Sequence, residues 1–79
     1  MNRKNIEVIY EQKGNGRYVP REMEWEGRMF PVDRVIHSCR SVDGSYTGTR
    51  YTVEIAGCEK YLYRDGNEWY VILYGEETA

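Results

Sequence analysis

Apolar and polar residues alternate with period two along most of this chain, and the alternating runs break at glycine-containing pairs. Such a pattern predicts half-buried β-strands joined by tight turns. Ile6, Val8 and Tyr10 alternate with Glu7 and Glu11; Met23 and Trp25 alternate with Glu22, Glu24 and Glu26. Tyr51, Val53 and Ile55 alternate with Thr52 and Glu54. Turn-forming pairs stand between the runs at Asn15-Gly16, Glu26-Gly27, Ala56-Gly57 and Asp65-Gly66, where glycine accepts the positive φ a hairpin needs.

Taking each pair as a two-residue turn predicts the register. The first turn sets Gln12 against Val19, Tyr10 against Arg21, Val8 against Met23 and Ile6 against Trp25. The second sets Trp25 against Arg28 and Met23 against Phe30; the third sets Ile55 against Cys58, Val53 against Lys60 and Tyr51 against Leu62. The last sets Leu62 against Trp69, with Val71 and Leu73 on the same face. Pro20 has no amide proton for a ladder, so a bulge or break is expected there. The adjacent Val35 and Ile36 interrupt the alternation and predict a bulge near Asp33 that bends the strand. Residues 41–48 are polar and form the longest loop, expected to be the most mobile internal segment. No window sustains a helical period.

The expected fold is therefore all-β: an antiparallel meander of five or six strands forming a small barrel or strongly bent sheet. Residues 1–79 make one domain, ordered over about 5–74, with a polar tail at 75–79. Its expected core is Ile6, Val8, Met23, Trp25, Phe30, Val32, Val53, Ile55, Leu62, Trp69, Val71 and Leu73.

Composition adds that the chain folds and is not disordered: 41% of residues are hydrophobic and 30% charged, with net charge only -2. No apolar run reaches the roughly 20 residues of a membrane span, and no signal peptide is recognisable, so a cytoplasmic protein without a membrane partner is expected. In that compartment Cys39 and Cys58 are expected as thiols. Charge is uneven, with an excess of +3 over residues 1–21, -3 over 22–27, +2 over 28–50 and -4 over 51–79. A dipolar pattern of this kind differs from the global positive field of a dedicated nucleic-acid binder.

Templates for catalysis are missing. One histidine, His37, cannot build a His-based metal site, and the cysteines are not in C-x-x-C spacing. No G-x-S-x-G, P-loop or G-x-G-x-x-G motif occurs. His37 reads as a partly exposed strand residue and Cys39 as a semi-buried small hydrophobe. Glu22, Glu24 and Glu26 read as the solvated face of a strand. The expectation is a non-enzyme with no cofactor and no metal.

The second face of the last hairpin carries Tyr61, Tyr63, Tyr70, Ile72 and Tyr74, where a solvated sheet face should be polar. Two readings follow. Loops or chain ends could cover these rings, or the rings could form a contact surface, since tyrosine joins a large apolar area to a polar tip. Tyr61, Tyr63, Tyr70 and Tyr74 are the candidate binding residues, with Arg64 and Arg50 beside them. The expected partner is another protein or a second copy of the chain. The alternative is single-stranded nucleic acid, stacked on the tyrosines and paired with the arginines.

The order of Trp25-Glu26-Gly27-Arg28-Met29-Phe30-Pro31-Val32, Arg34-Val35-Ile36, Tyr51-Thr52-Val53-Glu54, Tyr61-Leu62-Tyr63-Arg64-Asp65 and Trp69-Tyr70-Val71 resembles a family of small bacterial domains of unknown function. Its members are found beside, or fused to, Y-family-polymerase-like proteins of mutagenesis and DNA-repair cassettes. The resemblance spans about residues 19–74. It implies an accessory or interaction role in repair and carries over no catalytic residue. His37-Ser38-Cys39-Arg40 stands where the family pattern has an aromatic, and the N-terminal strand is extra.

Overall fold

The computed structural model describes residues 2–41 and 43–73. Their regular elements are all strands: β1 Asn2–Ile6, β2 Val8–Gln12, β3 Tyr18–Trp25, β4 Arg28–Pro31, β5 Arg34–Arg40, β6 Thr49–Ile55, β7 Cys58–Asp65 and β8 Glu68–Leu73. They form two antiparallel sheets, one of five strands in the order β1-β8-β7-β6-β5 and one of three in the order β2-β3-β4.

The expected meander of five or six strands is thus eight strands in two sheets. The extra count comes from two long strands that each change sheet at a corner. Glu7 separates β1 from β2, and Val32-Asp33 separate β4 from β5. Backbone bonds hold the corners: Glu24 N donates to Glu7 O at 2.8 Å, Val32 N to Arg21 O at 2.8 Å and Asp33 N to Glu54 O at 2.8 Å. Asp33 also caps the β6–β7 turn, its Oδ2 accepting from Ala56 N at 3.1 Å.

Because β1 leaves β2 for the other sheet, Ile6 pairs with Trp69 and not with Trp25. Val8 pairs with Met23 as expected, but the ladder then shifts between Ile9 and Tyr10, so that Tyr10 faces Pro20 and Gln12 faces Tyr18. Proline's missing donor accounts for that shift. At Glu26-Gly27 and Ala56-Gly57 the expected registers hold. Both turns have positive φ at both central residues, 51° and 81° in one and 52° and 80° in the other, as type I′ turns require. The last hairpin turns one residue later than expected, at Gly66-Asn67, with Asp65 facing Glu68 and Arg64 facing Trp69. The partner of each residue moves by two, which leaves the two faces of the hairpin unchanged. In β5 the register slips between Val35 and His37 and turns Ile36 out to solvent.

The core lies between the sheets and consists of Ile6, Met23, Tyr51, Val53, Ile55, Leu62 and Trp69, with Val8, Trp25, Phe30, Val32 and Val71 packed partly buried against it. Tyr51, Tyr18 and Val35 join it beyond the expected set. Leu73 is half-buried.

Candidate functional site

Two features of the five-stranded sheet stand out. The first is its outer face, where arginine and tyrosine stack in a row. The Arg3 guanidinium lies 3.9 Å from the Tyr70 ring centroid, and Tyr70 stacks on Tyr63 at 5.2 Å. Tyr63 meets the edge of Tyr46 at 5.2 Å. Arg50 then lies 5.4 Å from Tyr46 and 4.6 Å from Tyr61. Strand pairing sets part of this row, since Tyr63 is the direct partner of both Tyr70 and Arg50.

The loop before β6 closes over the row. Tyr70 Oη donates to Thr47 O at 2.8 Å, and Tyr46 Oη donates to Cys39 O at 3.0 Å. With its hydrogen so used, the Tyr46 oxygen is free to accept from the Cys39 thiol, 3.3 Å away. Burial, followed by the bond with Cys39, pushes the Tyr46 phenol up to about 12. Arg50 Nη2 lies 3.8 Å from Cys39 Sγ, while its Nε is buried without a hydrogen-bond partner among the described residues.

Of the expected binding residues, Tyr61, Tyr63, Tyr70 and Arg50 are brought together. Tyr63 and Tyr70 are buried, however, at 4% and 3% exposure, and only Tyr61 is open, at 49%. The loop expected to be mobile supplies the cover, so the tyrosine face is for the most part an internal layer. Arg64 is not at its rim. It lies on the opposite face, where Nε donates to Tyr51 Oη at 3.2 Å and the guanidinium rests 3.9 Å from the Tyr18 ring centroid. Tyr74 lies outside the described residues. Tyr46 was missed by sequence reasoning. Its signal is the single large ring in an otherwise small and polar loop.

The second feature is a seam in the sheet. The β7–β8 ladder covers only Asp65 to Glu68, Arg64 to Trp69 and Tyr63 to Tyr70. Beyond that point β7 stays with β6 down to Cys58, while β8 stays with β1 up to Leu73. The strands part, and a cleft of about 640 Å³ opens between them into the space between the sheets. Met23, Trp25 and Phe30 form its floor from the three-stranded sheet, and Leu62, Val71 and Leu73 are among its walls. These are residues the sequence assigns to a sealed core.

Among the described residues, no His, Cys, Asp and Glu side chains gather into a group able to hold a metal ion, and no helix is long and apolar enough to cross a membrane. No family model, curated protein or solved structure matches the chain.

Proposed function

We propose that this chain is a non-catalytic protein-interaction module whose contact surface is the apolar cleft between β7 and β8, with Tyr61 and Ile72 at its outer lip. The parting of the two strands beyond Tyr63 and Tyr70 carries this reading. A domain this small has little core to spare, and leaving the half-buried Val71 and Leu73 against a cleft is favourable when a partner covers them. On this reading the fold is a strongly bent, barrel-like pair of sheets open along one seam; the bonded corners at Glu7 and Asp33 support it. A cytoplasmic location goes with this reading and suits the free thiols of Cys39 and Cys58.

A second reading, a nucleic-acid-binding accessory domain of a repair system, draws on Tyr61. Its ring is 49% exposed with the Arg50 guanidinium 4.6 Å from its centroid, a pair suited to an unstacked base beside a phosphate. One comparison separates the two. The full chain is panned against a random-peptide phage library and titrated in parallel with labelled single-stranded oligonucleotide at low and moderate salt. Enrichment of peptides that compete with one another supports the interaction module. No enriched peptide, together with oligonucleotide binding that falls steeply with salt and is weakened by Tyr61→Ala, replaces it with the second reading.

A further inference from the structure

Resting on the interaction reading, we infer that the β7–β8 seam takes an extended, acid-flanked apolar peptide of a partner protein, which pairs with the open strand edges. The edges follow from register. Cys58, the closing residue of the two-residue β6–β7 hairpin, faces Ile55, so Cys58, Lys60 and Leu62 turn their backbone groups toward β6. Glu59 and Tyr61, alternating with them, turn theirs toward β8. By the same alternation Trp69, Val71 and Leu73 serve the ladder with β1, and Ile72 turns toward β7. Ile72 and Tyr61 would be the next bonded pair after Tyr63 and Tyr70, and the ladder stops short of them. Two strand edges with backbone donors and acceptors thus face each other across an apolar cleft. An occupant that satisfies both is itself an extended chain.

Side-chain chemistry narrows the occupant. On one side of such a strand, every second residue would enter the cleft against Val71, Leu73 and Trp25, so those residues are apolar. Three cations belong to the lining or rest on its rings. Lys60 lines the cleft, Lys4 Nζ lies 4.5 Å from the Trp25 ring centroid, and the Arg28 guanidinium lies 5.7 Å from that of Phe30. Glu59 is the one carboxylate among the described lining residues. The ends of the occupant are therefore acidic. The chain's own residues 74–79 suit the floor poorly, since Tyr74 is their single large apolar side chain.

The probe is a fluorescent peptide, Glu-Glu-Val-Thr-Val-Thr-Val-Glu-Glu, titrated by polarisation against the full chain. Glu59→Pro deletes one edge donor and spares the β6 ladder; Glu59→Ala is its control for side-chain loss. The expected result is saturable binding that Glu59→Pro weakens about three- to tenfold, Glu59→Ala leaves unchanged or tightens, and Lys60→Glu weakens severalfold. Thermal melts check that each variant is folded, and Lys60→Glu, at an exposed site, keeps the test alive if the proline variant is not. Three outcomes overturn the inference: no binding, equal binding of a Lys-flanked peptide, or a chain dimer in light scattering that the peptide dissociates. Library peptides whose binding ignores both Glu59→Pro and Lys60→Glu would overturn it as well, yet leave the interaction reading intact.

Discussion

Tyr46 ties three parts of the molecule together through one ring. Its hydroxyl donates to the Cys39 carbonyl, its edge meets Tyr63, and its face receives Arg50. The bond to the Cys39 carbonyl needs the neutral phenol and burial opposes the phenolate, and these outweigh the pull of the Arg50 charge toward the phenolate. The folded value of about 12 exceeds the ordinary 10.0. The phenol therefore contributes fully to stability below pH 10, and that contribution is lost as pH rises through 12. The expected outcome is a stability gap between wild type and Tyr46→Phe that is constant near neutrality and narrows across this alkaline window. Urea melts at a series of pH values measure it. A gap that stays constant to the top of the window would show that the phenol is not held neutral by the fold. This arrangement was illegible in the sequence because it depends on where a loop lies down, and a loop of small polar residues leaves no periodic trace.

At the scale of elements, legibility followed turn chemistry. Glu26-Gly27 and Ala56-Gly57 set their registers because two positive φ values at adjacent residues admit few alternatives. The Asp65-Gly66-Asn67 stretch offered two competing turns, and the one with glycine at the first central position is the one formed. The corner at Asp33 was signalled by the broken alternation at Val35-Ile36, whereas the Glu7 corner and the seam could not be read. The Glu7 corner keeps the alternation unbroken while the strand changes sheet, and the parting of β7 from β8 occurs between two well-patterned strands. Gly48 shows how an element is placed by close approach. Its φ is +87°, and a Cβ there would collide with the Arg64 carbonyl oxygen, a backbone atom of β7. Gly48→Ala is expected to cost about 2–4 kcal/mol from the left-handed backbone and the collision together, roughly 10–25 °C in melting temperature for a domain of this size. Gly14→Ala, where a Cβ meets nothing within 4 Å, is expected to melt close to wild type. Thermal denaturation of the two side by side is the test; equal melting points would mean that the loop before β6 does not pack against β7 as described.

Across the whole molecule the two sheets are held by few side chains, and Trp69 is the largest of the buried ones. It is 4% exposed, pairs with Ile6 on one side and Arg64 on the other, and meets the rings of Tyr51 at 5.3 Å and Tyr10 at 5.7 Å. Tyr10 belongs to β2 in the three-stranded sheet, so the indole spans the interface between the sheets. Trp69→Ala is expected to cost about 3–5 kcal/mol. A domain of this length holds roughly 4–12 kcal/mol in all, so the variant should be largely unfolded or close to it. A second variant separates packing from polarity. Trp69 Nε1 is buried without a hydrogen-bond partner among the described residues, a destabilising feature of roughly 1–3 kcal/mol. Trp69→Phe removes that donor and keeps a ring for Tyr10 and Tyr51. It should retain well over half of the wild-type stability despite its smaller volume. Urea denaturation of the three proteins, followed by far-ultraviolet circular dichroism because the substitutions alter fluorescence, gives the ordering wild type, Trp69→Phe, Trp69→Ala. If Trp69→Phe falls as far as Trp69→Ala, the indole nitrogen has a partner that matters and the ring contacts are secondary. If Trp69→Ala melts with wild type, the core is not where these two sheets meet.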